Sequence, residues 1–595
     1  MNAAAPEYNS PLSTRYATRA MVANFDDRRR YELWRELWIA LATAQRDLGL
    51  SITDEQIAAM HAHRTDIDLA RVAELEAKTR HDVMAHVHHF GELVGPGAEK
   101  IIHLGATSCF VADNAELIMM RDGLELLMDR LWAALDGLRR FAIAHRSLPT
   151  LAFTHFQPAQ LTTVGKRAVL WAQDLAYDLE GLAALRERLP FRGAKGTTGT
   201  QASFLSLFDG DHTKVRELDR RVAESMGFTR SVPVTGQTYP RKIDTWVVTA
   251  LADVCASAAK FASDLRLLAH EREIDEPFGT DQVGSSAMAY KRNPMRSERI
   301  CSLARFVHSL AASPLQTHAN QWFERTLDDS ANRRLVITEA FLATDAVLNL
   351  VVDVVSGMVV HPAVIRANML DELAFMATEE VLMTGVKAGH SRQELHERVR
   401  KHSHAAAARM KAEGVANDLL ERMRGDDLLA AFVPTGAIDP SRNRSTISSP
   451  RCSIPCSPPT RAAPVASRRP SASEPRGGVA RAAQDGDTAP RRPVDSPTVR
   501  AASRGGSHGT IDRPAVLSLR RDGGLFPRAE GRRRRRGRDH RHRGGRLGRR
   551  AVYDRRGVRR RHDGRDRRDH GGGCVDLDDD VGRGHLGGGE HGRLG

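Results

Sequence analysis

Cysteine is scarce in this chain: six residues in 595, at Cys109, Cys255, Cys301, Cys452, Cys456 and Cys574. They are too few and too scattered for a disulfide framework, which points to a reducing, cytoplasmic setting. Cys452 and Cys456 stand among Pro and Ser with no second ligand pair at zinc-finger spacing, so no metal site is expected. The N-terminus, MNAAAPEYNSPLSTRY, has neither the charged and apolar regions of an export signal nor the amphipathic Arg-rich pattern of a transit peptide. Long hydrophobic runs are also missing. The most apolar stretch, near 346–360, is broken by Asn349 and Asp353, reads as too short to span a bilayer, and is expected to be a buried helix.

Charge is present but unevenly placed. The chain carries net +14, which taken alone would suggest an anionic partner. Residues 441–595, however, hold 37 Arg, no Lys and 17 acidic residues, a net of +20, so residues 1–440 stand at −6. An acidic body repels a phosphate backbone, which excludes a generally basic nucleic-acid-binding fold. Beyond about Pro440 the helical apolar period disappears and Arg, Gly, Pro, Ser and His accumulate, the composition of a disordered tail. The segment GRRRRRGRDHRHRGGRLGRR (531–550) could bind nucleic acid non-specifically by counterion release, although it lacks aromatics for base stacking. A shifted reading frame in GC-rich DNA generates the same composition, and we favour that origin.

Residues 18–430 read as mostly helical. With Asp113 or Asn114 as N-cap, Leu117, Met120, Leu124, Leu127, Leu131, Ala134 and Leu138 recur in alternating steps of three and four, a heptad seam. Similar patterns over 164–188, 242–270, 297–313 and 333–359 predict an all-α bundle of long helices that oligomerises. The expected organisation is an N-terminal helical domain (1–110), a central long-helix bundle (111–360), a shortened C-terminal helical domain (361–435) and the tail (436–595).

Polar connections interrupt this body. RGAKGTTGTQAS (192–203) matches no nucleotide-binding glycine motif and reads as the wall of a site. GSSAMAYKRNPMRSER (284–299) places two serines, a lysine and arginines in a Gly-opened loop leading into a helix that Pro294 is suited to start, so hydroxyls, cations and backbone donors can converge on an anion. His86, His88 and His89 lack the HExxH arrangement and are read as structural or surface residues.

The GSSAMAYKRNP segment resembles the signature of the fumarase, aspartase and argininosuccinate lyase superfamily. RHDVMAHVH, IIHLGATSC, LPTLAFTHFQPAQLTTVGKR, RGAKGTTGTQASF, TGQTYPRK, KRNPMRSER and QWFERTLDDSANRR are similar to the adenylosuccinate lyases within it, in particular the animal-type ones. The resemblance covers residues 13–429. It implies a fumarase/aspartase-like fold, a homotetramer with sites where three subunits meet, no cofactor, and release of fumarate from adenylosuccinate and from succinylaminoimidazole carboxamide ribotide, both small molecules. It also implies the roles. Ser285 would be the general base and His155 the general acid, with Lys291 stabilising the alkoxide and the developing carboxylate charge. His81 would hold a substrate carboxylate or support His155, and Glu298 would orient a catalytic group. Substrate contacts would come from Arg15, Tyr16, Arg80, His81, Asp82, Thr107, Ser108, Gln237, Lys291, Arg299, Arg325, Ser330 and Arg334. Arginines suit phosphate and carboxylate because their planar donors bind two oxygens at once.

Two rivals remain at this stage. Another superfamily lyase, such as an argininosuccinate lyase, fits the GSS loop but not the phosphate-suited arginines of 325–334. A catalytically idle protein with a nucleic-acid-binding tail fits only the tail. One departure from the family is visible: after Phe432 the expected helical C-terminal region gives way to FVPTGAIDPSRNRSTISSP.

Overall fold

In a computed structural model of the chain, residues 8–435 are described; the Arg-rich segment and Cys452, Cys456 and Cys574 lie outside them. The described residues belong to one compact unit. Of the helices that frame the site and the bundle, α1 (Asp27–Asp47), α2 (Leu69–Thr79), α3 (Asp82–Ala98) and the long α4 (Ser108–Ala144) come first. A hairpin of β1 (Pro149–Thr154) and β2 (Gln157–Thr163) leads into α5 (Val164–Arg188). Then come α6 (Lys242–His270), the short β3 (Ile274–Asp275), α7 (Met295–Leu310) and α8 (Asp329–Gly357). Finally β4 (Val359–Val360) pairs with β3, and α9 (Pro362–Lys387), α10 (Arg392–Glu413) and α11 (Leu419–Arg424) close the described chain.

The bundle is built from α4, α5, α6, α7 and α8, each packed on at least two of the others. The seam read from the sequence is its core: Leu117, Met120, Leu124, Leu127, Leu131, Ala134 and Leu138 are all buried. Helices α5 and α6 begin and end where their apolar periods do. The stretch containing Asn349 and Asp353 is the second half of α8. By length and composition α6 and α8 would both suffice to cross a membrane, which corrects the reading of that stretch as too short; in the fold most of the apolar window of α8 is buried against protein.

The expected start of α4 is corrected. Thr107, not Asp113 or Asn114, is its N-cap residue, and both of those side chains are buried inside the helix. Asp113 accepts from the Tyr239 backbone N–H at 2.9 Å and from Arg241 at 3.0 Å. Asn114 accepts from Arg192 N at 2.8 Å and donates to the Phe110 carbonyl at 2.8 Å. The boundary expected at residue 110 therefore falls within α4. Residues of α9, α10 and α11, with Leu429 and Val433, form an apolar cluster separate from the main core.

Candidate active site

Arg80 and His81 occupy a sharp junction. Arg80 adopts a left-handed conformation (φ 55°) that ends α2, and His81 is the N-cap residue of α3, its Nδ1 accepting from Met84 N–H at 3.4 Å. The same Nδ1 lies 3.5 Å from Asp82 Oδ1. Asp82, in the first turn of α3, pairs with Arg334 at 2.8 Å. Burial pushes the neighbouring His103 down to about 4, helped by the nearby His81, and Trp38 donates to its Nδ1 at 2.8 Å.

This junction faces the first turns of α4 and α8 across a cleft of about 580 Å³. Seven residues singled out in the sequence line it: Arg80, His81, Asp82, Ser108, Arg325, Ser330 and Arg334. Thr107 and Gln237 adjoin them. The Gln237 amide donates to Thr107 Oγ1 at 3.2 Å and accepts from Arg325 at 3.1 Å. The N-terminus of α4 has no side-chain cap, so its partial positive charge adds to six arginines around the cleft, of which Arg241, Arg333 and Arg334 are paired with its carboxylates Asp113, Asp329, Glu116 and Asp82. Such a lining suits a ligand with several anionic groups.

The floor of the cleft is a largely buried ionic layer that reading the motifs did not reveal. Arg241 joins Asp113 and Asp329, at 3.0 and 2.7 Å. Arg333 joins Asp244 and Glu116, both at 2.6 Å, and donates to the Tyr239 hydroxyl, which itself donates to Asp244 at 2.5 Å. Burial alone would raise the Asp113 carboxyl, but Arg241 and Arg333 beside it bring it below the usual range. Burial drives the Cys109 thiol, near Arg325, up to about 12, so it stays protonated at neutral pH. Arg192 is equally hidden. It donates to the carbonyls of Gln237 (2.9 Å), Lys195 (3.1 Å) and Gly196 (3.3 Å), fastening the 192–203 loop to the segment that presents Gln237.

The remaining chemical residues stand elsewhere. His155 is exposed at the tip of the β1–β2 hairpin, where it and Phe156 both have positive φ (54° and 56°). That is the backbone of a tight two-residue turn, with side chains that ordinarily avoid it, at a cost of about 1 kcal/mol or more each. Ser285 and Lys291 lie on the loop between β3 and α7. There the backbone crosses itself: a Cβ on Gly284 would fall 2.1 Å from the Lys291 carbonyl, and Asn293 donates to the Gly284 carbonyl at 2.9 Å. Only glycine permits this approach, which brings the backbones of residues 284 and 291 together. Ser285 Oγ accepts from Met288 N–H at 3.1 Å. Glu298 is exposed in the first turn of α7, which Pro294 precedes as expected. Arg299 and Arg15 both lie over the Tyr16 ring, 5.6 and 5.7 Å from its centre. Among the described residues, no hydrogen bond or ion pair joins His155, Ser285 or Lys291 to the cleft. His86 packs against Tyr31 and Trp34, and His89 accepts from Asp68 N–H, so both are structural.

Comparison with known proteins places this arrangement. Residues 2–308 match the family described as lyase, and residues 374–441 match the adenylosuccinate lyase C-terminus. The adenylosuccinate lyase of Saccharomyces cerevisiae is 53% identical over 423 residues, 71% of this chain and 88% of the relative; that of Schistosoma mansoni is 51% identical over 440 residues, 73% and 91%. The chain belongs to the adenylosuccinate lyase family. It is therefore an enzyme of the lyase class, and a member whose family C-terminus is matched as far as residue 441. Solved structures agree on the fold. A fumarate lyase from Mesorhizobium sp. BNC1 superposes with TM-score 0.60 at 24% identity, covering 72% of this chain and 93% of that one. A 3-carboxy-cis,cis-muconate lactonizing enzyme from Pseudomonas putida gives 0.62 at 23%, covering 71% and 92%. The residues that sequence reasoning missed form the floor of the cleft: Asp113, Glu116, Arg241, Asp329 and Arg333 line it from below, and Arg192 and Asp244 support them. Their one sequence signal was charge embedded in apolar helix, as at Asp113 and Asp244.

Proposed function

We propose that this lyase eliminates fumarate from adenylosuccinate, giving AMP, and from succinylaminoimidazole carboxamide ribotide, in purine nucleotide biosynthesis in the cytoplasm. The observation that carries this reading is the cleft: arginines, His81 and a helix N-terminus around one cavity, in a chain about half identical to adenylosuccinate lyases. Both substrates present one phosphate and two carboxylates, which need several cations and neutral donors.

The Ser285 oxygen, deprotonated, takes the proton from the succinyl carbon beside a carboxylate. The electron pair forms the new double bond, the carbon–nitrogen bond breaks, and His155 gives its proton to the departing nitrogen. An alcohol is a weak base at neutral pH, so the Lys291 ammonium must favour the alkoxide. Lys291 also meets the second negative charge that grows on the carboxylate as the proton leaves, an interaction stronger in the transition state than before it. His81 holds a carboxylate, and Glu298 orients a catalytic group. Arg15, Tyr16 and Arg299 form one contact group, while Arg80, Asp82, Thr107, Ser108, Gln237, Arg325, Ser330 and Arg334 form the other.

Because His155, Ser285 and the cleft lie on separate parts of one chain, we assign each complete site to several subunits of a homotetramer. Incubating the purified chain with adenylosuccinate, and separately with argininosuccinate, tests the reading. Fumarate from the first substrate alone supports it; fumarate from the second alone, or from neither with an assembled protein, refutes it.

A further inference from the structure

The loop that carries Ser285 and Lys291 is held at its base by a residue that touches neither. Glu276 directly follows β3 and is only 5% exposed. Its Oε1 accepts from Arg296 N–H at 2.9 Å, and its Oε2 accepts from Ser297 N–H at 2.9 Å and from the Ser297 hydroxyl at 3.0 Å. A single buried carboxylate thus joins the residue that opens the loop to the first turn of the helix that closes it, twenty residues later. The arrangement is favourable on its own terms, since a negative charge meets unpaired N–H groups at a helix N-terminus.

The Arg296 side chain reinforces the same point. It donates to the Pro277 carbonyl, reaches Gln282 Oε1 at 3.3 Å, and pairs through Nε with Asp353 on α8. Outer clasp and inner crossing at Gly284 therefore act in series: the first fixes where the loop leaves the body, the second fixes the path of the backbone between residues 284 and 291. Without the first, the inner unit could stay folded yet swing as a whole.

We propose that Glu276 is a positioning residue for this reaction: its carboxylate clasps the ends of the 277–294 segment and so sets where the serine–lysine pair stands relative to substrate. The kinetic consequence rests on the function proposed above; the clasp itself does not. A misplacement of about 1 Å in such a pair costs up to about 100-fold in rate, while binding of substrate by the remote cleft is largely retained.

The test uses the full chain with Glu276→Gln, which keeps the shape but turns an N–H donor toward Ser297. Trypsin cleavage at Lys291 and Arg292, both exposed, is followed by mass spectrometry alongside kcat and KM for fumarate release and the size of the assembly. The expected result is an unchanged assembly, cleavage accelerated about tenfold, and kcat lower by about 10- to 100-fold with KM within about threefold. Glu273→Gln alters a glutamate in the same segment that binds Thr150 of the hairpin instead, and should leave the cleavage rate unchanged. If Glu276→Gln does not assemble, Ser297→Ala removes one bond to the same carboxylate and should show smaller changes of the same sign. Unchanged cleavage, or faster cleavage with unchanged kcat, overturns the proposal. Should the parent chain release no fumarate, the functional reading fails and the cleavage rates alone decide whether the clasp exists.

Discussion

At the residue scale, the cleft depends on the nearly buried ionic side chains of its floor. Arg333 is buried among Asp244, Glu116 and Tyr239, so replacing it by methionine leaves two carboxylates facing each other in a dry layer. Breaking such a pair costs about 3–5 kcal/mol, and Arg333→Met should lose that much in denaturant unfolding, whereas Arg334→Met, half-exposed on the rim, should lose far less. His86 supplies a second test. Its ring lies 3.9 Å from that of Tyr31, and burial lowers its pKa to about 4. The unfolded chain takes up this proton near pH 6.5, before the folded one can, so stability drains away as pH falls from 6.5 toward 4. The His86 contribution is on the order of 3 kcal/mol; His86→Phe should flatten that part of the stability profile measured by unfolding at a series of pH values.

At the scale of elements, the long helices were legible and the floor of the site was not. The apolar period of α5 and α6 is continuous and ends at clear breaks, so their limits follow from local pattern alone. The start of α4 was misplaced because Asp113 and Asn114 are excellent capping residues; their actual partners, Tyr239, Arg241 and Arg192, are far along the chain, and no local rule reports such contacts. The same holds for the separation of His155 from Ser285. Motifs named both residues, but only the fold shows one on a strained hairpin tip and the other on a self-crossing loop. That crossing makes a sharp demand on Gly284. Gly284→Ala would drive a methyl into the Lys291 carbonyl, opening the turn that carries Ser285 and Lys291, and should lower kcat by about 100-fold while thermal unfolding of the bundle stays within a few degrees of the parent.

At the scale of the whole molecule, the described body is complete in its cleft but not in its chemistry. Val433 and Leu429 close the C-terminal apolar cluster, so truncation after residue 440 should preserve kcat and assembly, measured by fumarate release and chromatography. Loss of salt-dependent binding to nucleic acid on the same truncation would trace any such affinity to the 37 tail arginines. The central claim concerns how chains cooperate: acid and base of one polypeptide serve different sites. Two variants, His155→Ala and Ser285→Ala, each inactive when pure, decide it when dissociated, mixed and reassembled. The account expects fumarate release to return in the mixture, because hybrid assemblies contain sites with both groups intact. Hybrid assemblies of native size that release none would contradict it.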